Sequence, residues 1–118
     1  MIPGLTMREP SPEIAPAELK AWLDASAPLS LIDVREPREF AISRIGDAEL
    51  IPMRNIPGAL PALREKAARA PLVVYCQHGL RSRQAVAWLR RQGLAACRSL
   101  SGGLEAWRRT VDPSLERE

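Results

Sequence analysis

The six residues from Pro71 to Cys76, PLVVYC, constrain the chain more than any other stretch. They are apolar without alternation and are bounded by turn formers. So short a run reads as a strand buried on both faces rather than as a helix. Strands of that kind belong to parallel sheets with helices packed above and below. The run stops on a cysteine, and the loop that follows, QHGLR, carries a glycine and the chain's single histidine, His78. A helical pattern comes next, RSRQAVAWLRRQG. In it Ala85, Trp88 and Leu89 share one face, and Gly93 stands where a helix commonly ends.

The same alternation recurs along the chain. Leu29–Val34, Ala48–Met53 and Ala95–Leu100 are further candidate strands. Helices are expected over Pro16–Ala25, with Pro16 at the first position and Leu19, Trp22 and Leu23 on one face. Others are expected over PREFAIS, over Ala59–Ala70 with Leu60, Leu63 and Ala67 stacked, and over GLEAWRRT. Trp22, Trp88 and Trp107 fit helix faces and read as core. Strand–helix alternation implies an α/β fold, an open and mostly parallel sheet with helices on both faces. The 118 residues form one domain, with a core of about 12–110 and a loosely held tail over 111–118.

Composition narrows the chemistry. The chain is 46% hydrophobic and 26% charged, too apolar for wholesale disorder. Its positive charge is nearly all arginine, since Lys20 and Lys66 are the only lysines. Arginine forks suit small oxyanions. No helix combines a basic face with interleaved aromatics, so no nucleic-acid partner is expected. Arginines 83, 90, 91, 108 and 109 are candidates for a basic surface around an entrance, or simply for solvated helix faces. Two cysteines, Cys76 and Cys97, are too few for a disulfide scaffold, and no Cys/His spacing suits a metal. The N-terminus does not read as a signal peptide, and no apolar run approaches the roughly 20 residues that span a bilayer. A reducing cytoplasm, with both cysteines as thiols, is the expected setting.

Within an open parallel sheet, ligands bind at the carboxyl ends of strands, which is where Cys76 stands. Loop amides pointing inward form an anion nest, and the following helix N-terminus adds positive potential. Gly79 supplies a left-handed conformation where a side chain would clash. A cysteine so placed favours its thiolate, the nucleophilic form. Cys76 is therefore the candidate nucleophile, with Gln77, His78, Gly79, Leu80, Arg81 and Ser82 as its loop. His78 either donates a proton beside the chemistry or stands in solvent without a task. Cys97, about two residues or ~7 Å short of the last strand's end, is expected to be a buried small hydrophobe rather than a resolving thiol.

The stretch CQHGLRS resembles the active-site loop of the single-domain rhodaneses, a sulfurtransferase family. LIDVREPREF, RIGDAELIP and LSGGLEAW resemble three further blocks of that family, in the same order, with Arg44 where the family commonly has histidine. The resemblance implies the rhodanese-like fold and transfer of sulfane sulfur from a donor such as thiosulfate to cyanide, a thiol or a protein. It implies a Cys76 persulfide held by the loop amides and no cofactor. A sulfur-acceptor or thiol-redox protein is the partner it suggests. It places Asp33 and Arg35 in support at the rim, with Asp33 the partner of Arg81, and Gly102 and Gly103 in a tight turn near the site. Related phosphatases and arsenate reductases have five residues between cysteine and arginine; here there are four, Gln77 to Leu80. A non-catalytic, protein-binding rhodanese-like module is the other alternative.

Overall fold

The computed structural model describes residues 10–117. Five strands, β1 (Glu13–Ile14), β2 (Ser30–Asp33), β3 (Glu49–Leu50), β4 (Leu72–Tyr75) and β5 (Arg98–Leu100), form one sheet in the order β1-β5-β4-β2-β3. Every pairing is parallel. Five helices connect or close them: α1 (Pro16–Asp24), α2 (Pro37–Ile42), α3 (Leu60–Arg69), α4 (Leu80–Arg91) and α5 (Gly103–Thr110). The α/β expectation holds, and the sheet is parallel throughout.

Strand β4 is central and fully buried, and its side chains alternate between two cores. Leu72, Val74 and Cys76 face a layer with Leu63 of α3 and Ala85, Val86 and Leu89 of α4. Val73 and Tyr75 face the other layer, with Leu19 of α1 and Leu104 and Trp107 of α5. This double burial is why the strand's sequence is apolar without a break. Trp107 is buried, while Trp22 and Trp88 pack against their cores partly exposed.

Three local expectations change. The edge strand β1 was not anticipated: two residues offer no periodicity to detect, and they pair only because Pro12 and Ile14 carbonyls accept the Ser99 and Ser101 N–H groups. The third strand shrinks from Ala48–Met53 to Glu49–Leu50, because Pro52 removes a donor and Met53–Asn55 turn into a short 3-10 helix. The segment after α5 is tied down rather than loose. Val111 and Leu115 pack on the second core, and Ser43 Oγ donates to the Glu116 carbonyl oxygen at 3.1 Å.

The chain leaves β2 toward β3 and leaves β4 toward β5, on the opposite side. The loops after these two adjacent strands therefore diverge and open a crevice, the topological switch point of the sheet. One wall of it is the residues after Asp33, the other the residues after Tyr75.

Candidate active site

Cys76 is the first residue beyond β4, and Val34 is its neighbour beyond β2, where the Val34 N–H still bonds the Tyr75 carbonyl oxygen at 3.1 Å. The chain must then turn sharply into α4. Gly79 makes that turn with φ +103°, a left-handed conformation that any side chain would strain. The turn folds the first residues of α4 back over the cysteine. The Gly79 and Ser82 N–H groups donate to Cys76 Sγ at 3.1 and 3.3 Å. Ser82 is the third residue of α4, and Gly79, which precedes the helix, has no side chain to cap it. The sulfur thus accepts the bond that a capping oxygen would otherwise take. It sits on the positive end of the helix dipole. Cys76 is only 1% exposed, so these donors act on it with little competition from water.

A second helix start holds the loop from behind. The Cys76 and Gln77 carbonyl oxygens accept the Leu104 and Glu105 N–H groups at 2.8 and 3.0 Å. These are orphan donors of the first turn of α5. With its carbonyls bound on that side, the loop keeps amides available to the sulfur. Gly103 is what permits the approach: a β-carbon there would come within 2.5 Å of the Cys76 oxygen and 2.6 Å of the Gln77 oxygen. The glycine pair is expected near the rim; the hydrogen bonds that Leu104 and Glu105 make to the loop carry no sequence signal, because the partners lie far away in the chain.

Asp33 and Arg35 meet the site differently from expectation. Both are fully buried rather than standing on a rim. Arg35 Nη2 and Nε bond Asp33 at 2.8 and 3.1 Å, and Nη2 also bonds the Ser43 carbonyl oxygen. Arg35 Nη1 reaches across the crevice to Gln77 Oε1 at 3.2 Å. The pair is a buried bracket that holds the side chain of Gln77, the first residue of the loop.

Arg81 does not bond Asp33. Its two terminal nitrogens lie 2.9 and 3.0 Å from the two oxygens of Glu39, a parallel double contact. The reason is that Asp33 already gives both its oxygens to Arg35. Glu39 also accepts the Glu36 N–H at 2.8 Å, half of a capping box that starts α2. The Arg81 guanidinium pushes the Glu39 carboxyl down to about 2. The EPRE pattern signals the capping box, but nothing local signals a partner 42 residues away.

The remaining candidates separate clearly. His78 is exposed and makes no hydrogen bond among the described residues. Leu80 is 59% exposed. Arg90 belongs to the far end of the sheet, where Nε bonds the Cys97 carbonyl oxygen, and Arg108 pairs with Glu105, so neither is an open entrance charge. Arg44, in the place of the family's histidine, lies over the Phe40 ring at 4.2 Å. Cys97 is buried but precedes β5 rather than lying inside it, level with Leu72 by the strand register. That is four residues short of Cys76, ~13 Å along the strand. Burial pushes its thiol up to about 12.

Fold and site together define a parallel α/β protein with a sulfur-centred loop at the switch point of its sheet. The chain belongs to the Rhodanese-like domain family, whose model matches residues 15–110. It is 32% identical over 105 residues to the thiosulfate sulfurtransferase GlpE of Stutzerimonas stutzeri, covering 89% of this chain and 92% of that one. It is 36% identical over 102 residues to the probable adenylyltransferase/sulfurtransferase MoeZ of Mycobacterium tuberculosis, covering 86% of this chain but only 26% of that protein. The chain thus spans about a quarter of its MoeZ-type relatives. The human single-domain sulfurtransferase TSTD1 superposes with a TM-score of 0.73 at 31% identity, covering 86% of this chain and 98% of that one.

Proposed function

We propose that this domain moves sulfane sulfur from a small anionic donor such as thiosulfate to a thiophilic acceptor through a persulfide on Cys76. The observation that carries the reading is the placement of Cys76 Sγ under two N–H donors at the start of α4. Those donors favour negative charge on the sulfur, as thiolate before the reaction and as persulfide after it. The thiolate attacks the outer sulfur of thiosulfate. A new S–S bond forms, the donor's S–S bond breaks, and sulfite leaves with the bonding pair. Cyanide, a thiol or an acceptor protein then takes the outer sulfur and returns the Cys76 thiolate. No proton is removed in the attack, so no general base is required.

Four residues separate Cys76 from Arg81, which supports a loop sized for sulfur rather than for a tetrahedral phosphoryl group. Arg81 braces the loop through Glu39 and, with its side chain 37% exposed, also presents charge to an anionic donor. Intact mass tests the reading. After thiosulfate, the wild type is expected to gain one sulfur atom and lose it to cyanide, while Cys76→Ser gains none. A wild type that stays unmodified with thiosulfate and other sulfane donors overturns it. Hydrolysis of an aryl phosphate would favour the phosphatase reading instead.

A further inference from the structure

Beneath the loop lies a buried pair of hydroxyls. Ser82 on α4 and Ser99 on β5 are both fully buried, and their Oγ atoms are 2.7 Å apart. Ser82 Oγ is also 3.4 Å from Cys76 Sγ and 3.2 Å from the Gly79 carbonyl oxygen. The sheet arranges the meeting. Ser99 is the register partner of Val74, so its side chain shares a face with Val74 and with Cys76 two residues on.

Counting protons assigns their directions. Each hydroxyl has one proton and two lone pairs. Ser99 Oγ has no other hydrogen-bond partner among the described residues. Were Ser82 to donate to Ser99, the Ser99 proton would be buried without an acceptor, which is costly. The proton between them therefore belongs to Ser99. The Ser82 oxygen is then satisfied by Ser99, and the Ser82 proton can turn either to the Gly79 oxygen or to Cys76 Sγ. A neutral thiol donates to the second lone pair of Ser82; an anionic sulfur accepts the Ser82 proton instead.

We propose that Ser99 is a positioning residue for Cys76, whose hydroxyl satisfies the Ser82 oxygen and so lets the Ser82 proton serve anionic sulfur. Without Ser99, the donor left to the Ser82 oxygen is the Cys76 thiol itself, and the neutral form gains. The inference rests on the proposed chemistry for its use, but the bonds concern the resting sulfur. Ser99 touches no reacting atom.

The test follows the ultraviolet absorbance of the thiolate from acid to alkaline pH, with the Cys76→Ser form of each protein subtracted. Ser99→Ala is expected to move the curve about 0.5 to 1 pH unit upward, about three- to tenfold fewer thiolates at a given pH within the transition. Ser99→Thr keeps a hydroxyl and should follow the wild type, while Ser99→Val, of the same shape, should follow Ser99→Ala. That pair decides the matter if Ser99→Ala does not fold. The charged and titratable groups around the loop are common to all these proteins. They are His78 and Arg83, Arg81 with Glu39, Arg35 with Asp33, Glu105 with Arg108 on α5, and Arg98 with Glu18 beside Ser99. An Ala curve superimposed on the wild type, or Thr and Val moving together, overturns the proposal. Intact mass after thiosulfate, run on the same samples, separates the two readings. A shifted curve with no sulfur gained by the wild type sinks sulfur transfer and leaves the hydroxyl pair standing; sulfur gained with an unmoved curve does the reverse.

Discussion

Two cysteines lie in one core layer, each 1% exposed, at opposite ends of adjacent parallel strands. Cys76 follows β4 at the carboxyl end of the sheet; Cys97 precedes β5 at the amino end. The sulfur of Cys76 receives two backbone N–H bonds at the start of a helix. The sulfur of Cys97 receives none among the described residues, and burial outweighs the smaller, opposing effect of the Arg90 charge on it. Equal burial thus has opposite consequences. Desolvation without donors keeps a thiol neutral, whereas desolvation with oriented amides makes a place for negative charge. Parallel topology produces the difference, since it gathers the starts of α4 and α5 at one end of the sheet.

The contrast can be broken first at the sulfurs themselves. Cys76→Ser should abolish sulfur uptake by intact mass, while Cys97→Ala should retain it and cost about 1 kcal/mol of stability in denaturant unfolding. Native alkylation at neutral pH should leave Cys97 unmodified. Uptake lost in Cys97→Ala with its fold intact would erase the contrast.

The helix starts come next. Gly103→Ala puts a β-carbon against two loop carbonyls at a φ of +63°. It should slow sulfur uptake by about ten- to a hundredfold and cost about 1–3 kcal/mol. Stopped-flow uptake and thermal melting check both, and a wild-type rate would show that α5 does not hold the loop.

A smaller effect sharpens the role of the Arg81–Glu39 contact. Glu39 is driven down to about 2, chiefly by Arg81, so its contribution is complete above the ordinary carboxylate value of 4.5 and is lost as the pH falls toward 2. Glu39→Gln should cost about 0.5–1.5 kcal/mol at neutral pH, limited because Arg81 is partly in water, and should flatten the acid limb of the stability profile. Identical acid limbs in variant and wild type would show that the contact contributes nothing.

The smallest effect is expected at His78. It is exposed and has no hydrogen-bond partner among the described residues, so His78→Ala should change uptake less than about threefold and leave the melting temperature within a few degrees. A larger loss measured with the same donor would give the histidine a task at the sulfur.

Much of this was legible in the chain. The unbroken apolar run from Pro71 to Cys76 determined a central parallel strand, because only a strand covered on both faces needs two apolar sides. Gly79 and the helical pattern after it determined a turn folding back over the cysteine. What the sequence could not supply were partnerships between distant residues of ordinary type. Asp33 read as a plausible mate for Arg81, until the fold placed Arg35 between it and the loop and brought Glu39 to Arg81 instead. Ser99, in a strand of three residues, carried no mark of the hydroxyl it meets. Cys97 looked like a strand residue until the register set it level with Leu72. Local physics, the pattern of apolar side chains and the freedom of a glycine, is written along the chain and determined the elements. The choice among several competent carboxylates, arginines and hydroxyls depends on which lie within bonding distance after the sheet closes, and only the tertiary structure decided that.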